Sequence, residues 1–279
     1  MDLLTLEYHL QILRYVSVCL FSVAVWEHLI WLPSEILVWK SLFRKLGITR
    51  AAPPRYGLHA PLDTSEGRIQ ASLGSICICL LRYSMLVSGP LMITFFLGRP
   101  MDCAATAKAL RLCFCVTWAA ANSIFVARVY IMYGKSKRVL AALGLLWLAT
   151  IGAWIADIFA YSAERIAQVP TFAPWCRTVV QHRWRSTGWG LSMLFDIVVL
   201  FMTLWKVHRL QAPLPGGNRL PKSEMHRFVL RSNLLWFSIV FVANTTCFVV
   251  QLAVDDPVLS HLPTPIGIVG TAIVAARIV

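Results

Sequence analysis

Glu27, His28, Arg82, Arg128, Asp157, Asp196 and Asn244 each interrupt a long apolar run. In low-dielectric surroundings a carboxylate and a guanidinium can pair, and a histidine can titrate near neutrality. A carboxylic acid there can also hold a proton and deliver it to an alkene or epoxide. That last use would define a membrane-embedded cyclase, such as a terpene or meroterpenoid cyclase. Such an enzyme needs no metal: Glu27, Asp157 or Asp196 would be the catalytic acid, and aromatic walls would stabilise the carbocation by cation–π contact. The chain has 11 tryptophans and 14 phenylalanines for such walls, although aromatics at this level also serve bundle packing and interface belts.

Other chemistries are disfavoured by the motifs the sequence lacks. There is no phosphate-binding Gly-Lys-Ser/Thr loop, no Gly-x-Ser-x-Gly elbow and no His-Glu-x-x-His pair. His9, His28, His59, His182, His208, His226 and His261 are scattered. The acidic pair in DDPVLSH lacks the further spaced carboxylate of a prenyl-diphosphate metal site. Cys77 with Cys79, and Cys113 with Cys115, have neither zinc-site spacing nor a companion histidine. No metal and no cofactor is expected.

The elements that must position these residues follow from composition. Of 279 residues, 58% are hydrophobic and 14% charged, against about 25% charged in an average soluble domain. A spanning helix needs about 20 apolar residues. Runs of that kind lie at about 13–38, 71–98, 107–133, 139–161, 187–206, 229–253 and 262–278. The expectation is an all-α fold, a single polytopic integral membrane bundle of seven transmembrane helices over residues 1–279. The acidic start MDLLTLEYHLQILR lacks the basic flank of a signal peptide, so the first helix is expected to be retained.

The net charge is +13, yet the basic residues fall in short loops between apolar runs, which is a record of topology and not of nucleic-acid binding. Lys40, Arg44, Lys45, Arg50, Arg55 and Arg68 occupy the first loop, Lys135, Lys137 and Arg138 the third, and Lys206, Arg209, Arg219, Lys222, Arg227 and Arg231 the fifth. These loops are expected in the cytoplasm. The opposite side has Arg14, Arg99, Lys108, Arg111, Arg165, Arg177, Arg183 and Arg185. This bias predicts an outside N-terminus and a cytoplasmic C-terminus, without distinguishing plasma membrane from endoplasmic reticulum.

Depth along the helices suggests partners. At about 1.5 Å per residue, Glu27 lies roughly 18 Å and Arg82 roughly 16 Å from the cytoplasmic ends of their spans, so an intramembrane ion pair between them is expected. His28 and Glu35 share a helical face, open to a proton relay or to an interhelical hydrogen bond with Glu35 at the headgroups. Pro33 is expected to bend or end the first span. Asp157, Asp196 and Asn244 fall toward the outer side, where they would line an outward-facing cavity with Tyr161, Trp189 and Trp236 around a small apolar ligand. The competing reading makes Asp196 and Asn244 plain interhelical bonds. Arg128 is expected to be a positive-inside anchor, with a receptor-like switch as the alternative. Cys103 and Cys176 are the cysteines expected outside, where oxidation is permitted; the sequence leaves open whether they are bonded.

The stretches WEHLIWLPSEILVWK, LLRYSMLV, ARVYIMYGKSKRVL, LFDIVVLFMTL, VLRSNLLWFSIVFVAN and AARIV resemble, in that order, the helices of a seven-span family abundant in basidiomycete fungi and defined only as a domain of unknown function. The resemblance covers nearly the whole chain. It rests on Trp26, Glu27, His28, Leu29, Glu35 and Trp39 in the first helix, Arg82-Tyr83 in the second and Arg128-x-Tyr130 in the third. Here the first cytoplasmic loop is longer than is usual in that family, and Arg231-Ser232-Asn233 stands where the family often has Arg-Asp-Gly. The family implies a seven-helix membrane fold and brings no activity with it. The functional expectation is a receptor-like sensor or membrane scaffold, with the lipid bilayer and a cytosolic partner at the basic inner loops as partners. The alternatives are the cyclase and, third, a transporter.

Overall fold

The computed structural model describes residues 3–45, 65–97, 102–166, 175–180, 186–211, 224–254 and 263–278. Among them are seven helices: α1 (Leu3–Lys45), α2 (Ser65–Leu97), α3 (Cys103–Met132), α4 (Lys137–Ala160), α5 (Thr187–Gln211), α6 (Glu224–Ala253) and α7 (Pro263–Ile278). Each falls on one of the apolar runs. Five carry stretches long and apolar enough to cross a membrane, Gln11–Pro33, Gly74–Phe95, Cys103–Met132, Lys137–Ala160 and Thr187–Arg209. The apolar parts of α6 and α7, Phe237–Ala253 and Pro263–Ala275, are shorter.

Pro33, expected to bend or end the first span, closes the stretch apolar enough to cross a membrane, but the helix itself continues through it to Lys45. A proline removes one backbone hydrogen bond, but in apolar surroundings abandoning the helix would orphan many more. The fold is all-helical apart from one short connection. Strands β1 (Tyr161–Ile166) and β2 (Trp175–Val180) form an antiparallel hairpin between α4 and α5, with Glu164 opposite Arg177 and Arg165 opposite Cys176. Its second strand, WCRTVV, holds the β-branched and aromatic types that favour strands.

Consecutive helices pack side by side, α1 against α7 closes the ring, and α3 touches α2, α4, α5, α7 and β1. The central helix is buried on most of its circumference, by apolar and small residues: Phe114, Trp118, Ala120, Ala121, Ile124, Phe125 and Val129. Alanines let neighbouring backbones approach, and polar caps on that approach hold it. Ser84 and Thr117 hydroxyls are 2.7 Å apart between α2 and α3, the Trp147 indole N–H donates to the Ala119 carbonyl from α4, and the Tyr133 hydroxyl donates to the Met202 carbonyl of α5.

The outer surface is inverted relative to a soluble protein. Leu145, Leu148, Ile155 and Phe159 on α4 and Leu194, Ile197, Phe201 and Leu204 on α5 are exposed at helical spacing, stripes that water would not tolerate and lipid does. The chain is a multi-pass helical membrane protein.

The α3–α4 turn ends α3 with two left-handed residues, Gly134 (φ 65°) and Lys135 (φ 61°). Lys135 N–H donates to the Tyr130 carbonyl and Gly134 N–H to the Ile131 carbonyl, satisfying acceptors the helix would otherwise leave open. Between α1 and α2, the Phe21 ring lies where a side chain on Gly89 would have to go. Gly89→Val is therefore expected to destabilise the bundle by about 1–3 kcal/mol, the usual cost of overpacking, read as a lower melting temperature in detergent. Phe21→Ala in the same chain should recover part of it; equal melting of the single and double variants would refute the contact.

Candidate functional site

Polar side chains collect in two places. The first is the hairpin-side half of the interior, between α3, α4, α5, α6 and α7. Arg111, eight residues and about 12 Å into α3, places Nη1 3.1 Å from Asp157 Oδ2 on α4, and both side chains are 8% exposed. Below this pair Trp118, Trp154 and Trp189 pack ring on ring at centroid distances of 5.3–5.9 Å, all fully buried. The Trp154 indole donates to Ser192 Oγ at 3.0 Å. A methyl group at Gly188 would only touch the Trp154 ring, at 3.5 Å, whereas at Gly267 it would fall 2.7 Å from Cys247 Sγ.

Deeper on α5, Asp196 accepts a hydrogen bond at Oδ2 from Asn244 Nδ2 of α6. The stripe Phe237, Val240, Asn244, Cys247 and Gln251 repeats at helical spacing and is buried along α6, which explains why Asn244 faces inward.

The expected outward-facing cavity of Asp157, Asp196 and Asn244 is thus replaced by two separate pairs. Asp157 belongs to Arg111, and Asp196 to Asn244. Arg111 was assigned to the outer loop charge, whereas it lies inside the bundle. Its signal was present in the sequence, since Ala107, Arg111, Phe114 and Trp118 sit at i, i+4, i+7 and i+11 on the buried face of α3. Trp189 takes its place in the tryptophan cluster; the side chains of Tyr161 and Trp236 lie outside the described residues.

The second place is a cleft between α1, α2 and α7, of about 40 Å³, lined by Glu27, His28, Trp31, Arg82, Leu86 and Ile273 among others. The Arg82 guanidinium sits 5.6 Å above the Trp31 ring centroid, within cation–π range. His28 meets Tyr83 edge to face at 5.8 Å. Glu27 and Arg82, matched by depth from the sequence, line the same cleft. Trp31 is the residue that reasoning missed: at four positions after Glu27 it shares that face. Trp31 in the cleft and Tyr83 beside it are also exposed, so the cleft opens on the flank of the bundle. The Glu35 and Trp39 side chains lie outside the described residues.

Arg128 is half-buried, four residues before the end of α3, at the end where basic residues follow. Cys103 and Cys176 are disulfide-bonded, with Cα atoms 5.6 Å apart. Among the described residues no cluster of histidine, cysteine and acid could hold a metal ion. Neither a protein-family model nor a curated protein matches the chain.

Proposed function

We propose that the chain spans the membrane seven times, N-terminus outside and C-terminus cytoplasmic, as a receptor-like sensor of a small amphiphile drawn from the bilayer. The α6 and α7 helices stand in the same ring as the long apolar helices, α7 against both α6 and α1, and a ring member at that level has to cross as its neighbours do. The basic loops support the orientation, as does a disulfide at the end of the bundle they avoid. The likeness to the basidiomycete seven-span family supports the same count and adds no activity.

The observation that carries the sensing role is the lateral cleft. A carboxylate, an imidazole and a guanidinium converge on an opening toward lipid, where each costs several kcal/mol unless it is paired or bound. Glu27 and Arg82 act as mutual counter-ions until a ligand's carboxyl or hydroxyl displaces one of them. The volume admits a head group, and the ligand's apolar body lies along Trp31 and Tyr83. The cyclase reading narrows to Glu27, because it lines the cleft, whereas Asp157 and Asp196 lie in the closed interior.

In nanodiscs a photoreactive long-chain fatty acid is expected to label α1 and α2 at the cleft. Arg82→Met should cut that labelling about tenfold or more, as loss of a charged hydrogen bond worth roughly 1.5–3 kcal/mol requires. A fluorescent residue at Lys135 should change emission when the probe binds. Labelling spread evenly over the lipid face would overturn the site, an unresponsive Lys135 the sensing role, and a probe recovered with a rearranged skeleton would make the protein an enzyme.

A further inference from the structure

Asp196 is 5% exposed and Asn244 fully buried, mid-helix on α5 and α6, each nine residues or about 13 Å from its helix end on the hairpin side of the bundle. The amide N–H of Asn244 donates to one carboxyl oxygen, while Asn244 Oδ1 is buried with no hydrogen-bond partner. Among the described residues, Asp196 has no cation in salt-bridge contact. On the elements around it, Arg111 and Asp157 are taken up by each other, Cys247 gives its thiol to the Pro263 carbonyl, and Tyr133 gives its hydroxyl to Met202 at the far end of α5. Arg128 on α3 forms no ion pair with Asp196, and Lys206, His208 and Arg209 lie ten or more residues further along α5.

An ionised carboxylate there would be an uncompensated charge in a medium of low dielectric constant, beside an amide oxygen that needs a donor. One proton resolves both. We propose that Asp196 is a proton-binding site: its protonated carboxyl donates to Asn244 Oδ1, closing a ring of two hydrogen bonds with the amide that fastens α5 to α6. The carboxyl hydroxyl satisfies the orphaned oxygen, and the Asn244 N–H satisfies the carboxyl carbonyl. The way in for the proton runs between α6 and α7. Gln251, seven residues along the same face of α6, and Thr264 at the start of α7 both bury side-chain polar atoms without protein partners, groups of the kind that buried water bridges.

Infrared spectroscopy of the protein in nanodiscs at neutral pH tests this. The wild type should show the C=O stretch of a protonated, hydrogen-bonded carboxylic acid, shifted in D₂O and absent from Asp196→Asn. That variant should fold, because two amides can close the same ring. Asn244→Asp should fold and add a second such band, since two acids also form the ring, whereas an ionised Asp196 would share a single proton with the new acid and the pair would show one band. A wild type lacking the band overturns the proposal. So does a melting temperature raised by Na⁺ or K⁺ in wild type but not in Asp196→Asn, which would make the pair a cation site.

Discussion

Replacing Arg111 with methionine is expected to destabilise the folded bundle by about 3–5 kcal/mol, the range for removing one partner of a buried ion pair. The reason is asymmetric. Arg111 and Asp157 are each 8% exposed and 3.1 Å apart, so deleting the cation leaves a carboxylate among tryptophan and aliphatic side chains with nothing to neutralise it. Deleting both charges removes the problem along with the attraction. Arg111→Met with Asp157→Leu should therefore lie within roughly 1 kcal/mol of wild type, as replacements of whole buried pairs often do. Thermal unfolding and the monodisperse fraction in detergent measure both. If the double variant loses as much as the single, the pair is not what holds α3 to α4 at this level. The three tryptophans below it should feel the change first, so near-ultraviolet circular dichroism of Arg111→Met should lose intensity before helicity falls.

What the sequence disclosed and what it hid divide along a physical line. Hydropathy is a local property, so each of the seven apolar runs became a helix, and the start of α5 at Thr187 was located to the residue. Depth is nearly local too, since rise per residue is fixed, and it brought Glu27 and Arg82 to one cleft. Azimuth is not. Asp157 and Asp196 were grouped because both were expected toward the outer side, but which way each points around its helix depends on neighbours that one dimension does not order. Arg111 was hidden for a related reason: a basic residue near a span end reads as a loop charge until an acid on the next helix is known to face it. The hairpin was missed because the alternation in YSAERI stops after Glu164, too short a run to mark a strand, and its pairing with WCRTVV is a long-range fact.

Breaking the Cys103–Cys176 bond should release the hairpin and cost about 2–4 kcal/mol. The bond spans 73 residues, for which chain entropy gives about 4 kcal/mol, an upper bound here because helices confined to a bilayer keep the denatured chain ordered. The native side of the balance is well prepared. Asp102 caps α3 by accepting from the Ala104 and Ala105 N–H groups at 2.8 and 3.1 Å, fixing the backbone next to Cys103. Phe95, Cys103, Ala107, Ala163 and Cys176 form a small buried cluster of their own, so the bond staples a contact that already excludes solvent. Cys176→Ser should thus lower the melting temperature and expose β1 and β2 to protease while leaving the seven helices in place. The same hairpin reports orientation. In intact cells an impermeant maleimide should label a cysteine introduced at Glu164, exposed on the hairpin this bond anchors, as an outer hairpin requires. Labelling that appears only after permeabilisation would invert the orientation and move the basic loops to the outer side, against the rule that placed them in the cytoplasm.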